Sequence, residues 1–309
     1  METKKLIDSF GRTAQERADQ KALMDAANKE AAENWNNPEW RREFAAALTE
    51  SILLGFEYET LVNRFIDTQT VGFNDRVLVK ETKGLKAYFM ARGGYIEASE
   101  LHSEVTEVPR DMIGAHVYEF EDKFLTSFSE TAQDLRNACV QRIDAEVNRR
   151  VHTVLATAID AASPYYLDGP SIDKAVLDQA IREVRDSSRT GEVVIWGRST
   201  VTDQIMDFEG FGNETQEEIR QKGILGVYRG APIVQLKNYT DEDDVAFIPA
   251  NELWVTSRDM GKFAFFGGLQ SKEYSEQDNW YWHYVARRDS GCLVHKPERA
   301  RRLIDTSIS

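Results

Sequence analysis

The residues of this 309-residue chain whose types could do chemistry are few and scattered. Five histidines, His102, His116, His152, His283 and His295, never recur at metal-ligand spacing on one element, and no neighbouring cysteine completes a site. Each reads as a surface or packing histidine. Cys139 and Cys292 are too few and too far apart for a disulfide framework or a zinc site, and are expected as reduced, buried thiols. "RRDSGC" places Ser290 in an Asp-Ser-Gly triplet, but without a strand-to-helix elbow it is expected in a tight turn, not as a nucleophile. "GILGVYRG" lacks the spacing of a dinucleotide loop, and no G-x-x-x-x-G-K occurs. Asp241, Glu242, Asp243 and Asp244 are adjacent, so they cannot all converge on a calcium ion, and a solvated loop is expected there. No convergent polar set can be assembled, so the expectation is no catalysis, no metal and no cofactor.

Basic and aromatic residues are more suggestive. "VKETKGLKAYFMARGGYIEASEL", residues 79–101, strings Lys80, Lys83, Lys86 and Arg92 among Tyr88, Phe89, Tyr95 and Ile96, around Gly84, Gly93 and Gly94. It lies within a stretch of strand chemistry, residues 71–108, with its turn expected at Thr82–Gly84. A lone two-stranded hairpin is marginal in water, so this one must join a larger sheet or rest on another molecule. Near the end of the chain Arg287, Arg288, Lys296, Arg299, Arg301 and Arg302 outnumber Asp289 and Glu298. With a formal net charge of −14, a neighbour's acidic face suits them better than nucleic acid.

The elements that must position these residues begin with a helical amino-terminal arm. Residues 13–35 are rich in alanine and charge, with Leu23 and Met24 the only large aliphatic residues before Trp35. Asn37 can cap a second helix that opens on Pro38, carries Trp40, Phe44, Leu48 and Ile52 every four residues, and is expected to stop at Gly55. This arm is expected to lean on something outside its own domain. After the hairpin, "DMIGAHVYEFED" reads as a strand, and Ser127 with Glu130 as a capping box for a long helix reaching Pro164. Its stripe is Leu135, Cys139, Ile143, Val147, Val151, Leu155 and Ile159, with Val140 and Val154 beside it. About 35 residues at 1.5 Å each make a spine of roughly 50 Å. A compact mixed unit follows. Ser171 is expected to cap a helix through Ile172, Val176, Leu177, Ile181 and Val184, then come a strand at 193–196, a helix from Ser199 and a short helix between Asn213 and Gly223. Strands are expected at 226–228, 233–236, 245–248 and 253–256, and finally two strands around the "RRDSG" turn.

With 41% apolar residues the chain can build one large or two modest domains. No run approaches the roughly 18 apolar residues of a membrane span, and the amino terminus lacks a signal peptide, so a cytoplasmic origin is expected.

This order of elements resembles the major capsid proteins of tailed bacteriophages, with the Hong Kong ninety-seven type of shell fold. The likeness spans nearly the whole chain. It rests on the arm, the hairpin, "VPRDMIGAHVYEFEDKFLTSF" leading into the spine, "GILGVYRGAPIVQLKNY" followed by "FIPANELWVTS", and the terminal aromatic strand. The resemblance implies an α+β fold with an arm at 1–70, an extended loop at 71–105, a peripheral domain at 106–164 and 264–289, and an axial domain at 165–263 and 290–309. It implies a chain that self-assembles as hexamers and pentamers into the icosahedral shell around a double-stranded DNA phage genome. The chain would be made in the host bacterial cytoplasm and end in the virion. An encapsulin-type nanocompartment shell is the alternative. Partners so implied are other copies of the chain, a separate scaffolding protein, a portal, a decoration protein, and packaged DNA held without sequence specificity, with no membrane. Candidate contacts between subunits are Lys83, Gly84, Lys86, Tyr88, Phe89, Tyr95 and Ile96 of the loop, and Trp35, Trp40 and Phe44 of the arm. Some members of the family join a loop lysine to a neighbour's asparagine with help from a buried glutamate. Lys80, Lys83 or Lys86 with Asn279 would be the matching pair here, but "WYWHYVARRD" has arginines where the acid would stand. Other members carry a cleaved scaffolding segment ahead of the arm, and none is expected here.

Overall fold

The structure, a computed structural model, describes residues 17–59, 62–83, 102–208, 226–236, 248–276 and 280–308. Helices α1 (Arg17–Asn34) and α2 (Pro38–Glu59) are separated at Asn37, whose side-chain oxygen accepts the Glu39 N–H at 3.0 Å. Gly55 does not end α2, which continues to Glu59. A short α3 (Val62–Phe65) leads into β1 (Asp67–Val71), which pairs in parallel with β10 (Gly261–Glu276). The end of the predicted arm is therefore an edge strand. β2 (Leu78–Lys83) and β3 (His102–Glu107) form an antiparallel pair in register from Leu78↔Glu107 to Lys83↔His102. Thr82 and Lys83 are still in the ladder, so the turn is not at Thr82–Gly84; the connection falls within 84–101, outside the described residues.

β4 (Asp111–Phe120) pairs with β11 (Tyr281–Val294), giving a four-stranded sheet in the order β1-β10-β11-β4. The helix α4 (Glu121–Ala158) has 38 residues, so its rise of 1.5 Å per residue makes it about 57 Å long. It starts before the expected capping box and stops short of Pro164. Ser127 instead marks a break inside it, at φ −142° and ψ 49°. The amide of Ser129 just past the break is satisfied from α1, where Asn28 Oδ1 accepts it at 2.9 Å.

The second sheet has six strands in the order β5-β12-β9-β6-β8-β7. These are β5 (Tyr166–Gly169), β6 (Val194–Arg198), β7 (Val227–Tyr228), β8 (Ala231–Leu236), β9 (Glu252–Thr256) and β12 (Ala300–Asp305). Helix α5 (Lys174–Ser187) follows Asp173 rather than a Ser171 cap, and buries Leu177, Ile181 and Val184 against Ile195, Val255 and Leu303; Val176 is exposed. The helix expected between Asn213 and Gly223, the acidic loop at 241–244 and most of the strand expected at 245–248 lie outside the described residues.

"RRDSG" is not a turn. β11 runs through it unbroken, with Asp289, Ser290 and Gly291 opposite Phe266, Phe265 and Ala264. Ser290 is buried and its hydroxyl has no hydrogen-bond partner. A Cβ on Gly291 would stand 1.9 Å from the Pro109 carbonyl oxygen, so close backbone approach, not a turn, calls for the glycine.

One core runs through both sheets. The spine stripe from Leu135 to Ile159 is buried in it, together with Trp35, Phe44, Leu48 and Ile52 from the arm and Trp196 and Trp254 from the second sheet. Trp35 stacks on Phe124 at 4.4 Å and meets Trp282 edge-on at 6.0 Å; Trp40 stacks on Phe44. The arm thus packs on its own spine: Trp35 and Phe44, expected at a border, are buried within the chain, while Trp40 is only partly covered. At roughly 1.5 to 3 kcal/mol for each fully buried aromatic, burial in the same chain outweighs keeping them exposed for a neighbour. Four of the C-terminal arginines also turn inward: Arg299 to Asp259, Arg301 to Glu183 at 2.9 Å, Arg302 to Glu252, and Arg288 over the Phe265 ring. Both cysteines are free and buried, their thiols pushed up to about 12 by burial.

Candidate subunit-contact surface

The four-stranded sheet has one face on the spine and one turned away. β11 alternates accordingly: Trp282, Tyr284 and Ala286 are buried, while Tyr281, His283 and Val285 between them are only partly covered. At one end of the outer face the base of the β2–β3 hairpin lies on it, where Val77, Val79 and Val108 bury Ala264 and Phe266. Arg110 fastens this end by lying over the Phe266 and Phe73 rings.

The other end has no such cover. Tyr118 and Phe120 of β4, Tyr274 of β10 and Trp280 just before β11 are 59%, 45%, 42% and 68% exposed. Tyr118, Phe120 and Tyr274 are ordered against Tyr281 and His283 between them. Phe120 packs on Tyr281 at 4.2 Å, Tyr118 meets Tyr281 edge-on at 5.3 Å, and Tyr274 stacks on His283 at 4.5 Å with planes 4° apart. His116 Nε2 lies 3.1 Å from His283 Nδ1, and Glu276 Oε2 lies 3.4 Å from His283 Nε2. Trp280 takes a positive φ of 56°, an uncommon conformation for a bulky residue, and it stands where the chain enters β11.

Of the loop residues singled out from sequence, the structure gives Lys83 a backbone position opposite His102. Gly84, Lys86, Tyr88, Phe89, Tyr95, Ile96 and the crosslink candidate Asn279 lie outside the described residues. The exposed aromatic end of the sheet was missed. Its signal was present in "DMIGAHVYEF", where apolar residues occupy both parities, Ile113 and Val117 inward and Met112, Tyr118 and Phe120 outward, which a strand with one solvated face does not need.

The site is a surface, not a cleft. Among the described residues no group of three or more His, Cys, Asp or Glu is placed to hold a metal, and no helix is long and apolar enough to cross a membrane. A family model described as "SPbeta prophage-derived putative capsid protein YonB" matches residues 2–285. The chain belongs to the YonB capsid-protein family. No curated protein matches it by sequence. Among solved structures, this chain is similar to a chain from Gordonia phage Cozz, with a TM-score of 0.57 at 13% identity over 79% of this chain and 86% of that one. The mature capsid of bacteriophage PhiM1 matches with a TM-score of 0.54 at 13% identity, over 82% and 89% of the two chains. A virus-like particle from Pyrococcus furiosus matches with a TM-score of 0.52 at 10% identity, over 83% and 97%. The α+β fold is therefore the tailed-phage capsid fold, and membership of the YonB family makes this a capsid protein of the phage virion.

Proposed function

We propose that the chain is the repeating tile of an icosahedral shell, built from hexamers and pentamers and enclosing a double-stranded DNA genome, and that it acts without catalysis. The observation that carries this is the uncovered aromatic end of the four-stranded sheet in a chain of a capsid-protein family. Single exposed aromatics are ordinary, but a contiguous, mutually packed group of them marks a surface that another molecule covers. The occupant that fits is the hairpin of a neighbouring copy, whose residues 84–101 carry Tyr88, Phe89, Tyr95 and Ile96. Burying three such side chains contributes roughly 5 to 9 kcal/mol before ordering costs. A shell repeats that contact at every subunit. A scaffold, a portal, a decoration protein and DNA held without sequence specificity are the further partners we infer for such a tile.

The likeness to a virus-like particle keeps a nanocompartment shell as the second reading. Negative-stain micrographs of the expressed chain test the proposal. Shells are expected from the natural chain, and Tyr118→Glu combined with Trp280→Glu is expected to abolish them with an unchanged melting temperature. Shells that form equally well with both substitutions would remove this face from the contact. Nuclease-protected DNA inside particles isolated from induced cells separates the virion from a compartment loaded with protein.

A further inference from the structure

We propose that His116 and His283 form a two-nitrogen chelate for a late first-row divalent metal ion, Cu²⁺ most tightly, on the outer face of the four-stranded sheet. Spacing along single elements shows no such site, because the two histidines lie on different strands. His116 of β4 stands opposite Val285, and His283 of β11 opposite Tyr118, so they are diagonal neighbours. Their nearest ring nitrogens, His116 Nε2 and His283 Nδ1, are 3.1 Å apart. Two bonds of about 2.0 Å from those atoms to one ion would enclose an angle of about 100°, between the square and tetrahedral values.

The surroundings prepare the pair. Glu276 Oε2, 3.4 Å from His283 Nε2, holds a proton on that nitrogen and leaves the Nδ1 lone pair aimed at His116. Tyr274 fixes the His283 ring by stacking on it, and its hydroxyl lies 3.4 Å from His116 Nε2. In the single chain His116 is exposed, while the His283 side chain is only 12% exposed, so one ligand is rigid and the other is accessible before a neighbour covers the face. On binding, the hydrogen bond between the rings is replaced by two metal–nitrogen bonds, and the proton on His116 Nε2 moves to its Nδ1 or to water. Two protein ligands leave positions for water, which makes the ion exchangeable. Imidazole pairs follow the order in which Cu²⁺ exceeds Ni²⁺ and Zn²⁺.

Calorimetric titration of the full-length chain with CuCl₂, with electron paramagnetic resonance of the product, tests this. The expected result is a site whose spectrum shows two imidazole nitrogens. His116→Gln and His283→Gln are each expected to lower its affinity at least tenfold without moving the melting temperature, and Glu276→Gln to lower it about tenfold. His102, His152 and His295 remain in every variant and report background binding. Equal affinity of the natural chain and both histidine variants would overturn the proposal, as would a spectrum with one nitrogen.

Discussion

Gly291 sits on a strand where a local reading of the sequence misleads. At Gly291 the Pro109 carbonyl occupies the space of a side chain, with Val108 Cγ1 3.0 Å from the would-be Cβ on another side. The obstruction is backbone that also sets the base of the hairpin, so it cannot swing aside as a flexible side chain does. Gly291→Ala is expected to cost about 2 kcal/mol, read as a lower urea midpoint with an unchanged slope. Glu252 is a buried carboxylate met by His152 Nε2 at 2.7 Å, Trp254 Nε1 at 3.2 Å and the Arg302 guanidinium. Burial alone would raise its carboxyl, but His152 and Arg302 outweigh burial and hold it below the ordinary value of 4.5. A lowered folded-state value means that its contribution is present above 4.5 and lost as the pH falls through the folded value. Glu252→Gln is therefore expected to cost roughly 3 kcal/mol at neutral pH, because it strands Arg302, and less as the solution is acidified. Urea denaturation of both proteins at pH 7 and pH 3 reads this; a difference that does not shrink in acid would mean that the carboxylate's charge is not the source.

At the scale of elements, the break in the spine is where separate parts of the chain depend on each other. Past Ser127 the helix restarts, and its Ser129 amide relies on an oxygen from α1. Asn28→Ala removes that acceptor and is expected to cost about 1 kcal/mol, while Asn28→Asp retains it and most of the stability. Guanidinium titrations of the three proteins decide it, and equal losses for both variants would show that the acceptor does not matter. The same break shows which elements can be read from sequence. The four-residue spacing of Phe44, Leu48 and Ile52, the Asn37 cap and the stripe from Leu135 to Ile159 are local signals, and the structure has all of them in place. What the sequence hid depends on partners far along the chain. β1 is a strand because β10 lies beside it, the spine bends where Asn28 can serve it, and Asp289–Ser290–Gly291 is straight because Phe266, Phe265 and Ala264 pair with it. The exposed aromatic face was half legible, since apolar residues on both parities of β4 announce two covered faces, but the rows that Tyr118 and Phe120 form with Tyr274, Tyr281 and His283 exist only once three strands are in register.

For the whole molecule the governing quantities are a formal charge of −14 and an uncovered aromatic face. In the proposed shell, copies would repel through the first and adhere through the second. The balance depends on salt in a definite direction. Several of the arginines expected to draw an acidic neighbour are already paired within the chain, at Asp259, Glu183 and Glu252. Adding salt shortens the screening length from about 10 Å at 0.1 M to about 3 Å at 1 M, which weakens the repulsion and leaves apolar burial intact. Sedimentation velocity of the purified chain between 0.05 M and 1 M sodium chloride should therefore show the assembled fraction rising with salt. An assembled fraction that falls would mean that intersubunit ion pairs, rather than the aromatic face, hold the copies together. A Tyr118→Gln, Trp280→Gln chain separates the two terms, because it removes apolar area without adding charge, and it should stay dispersed at every salt concentration.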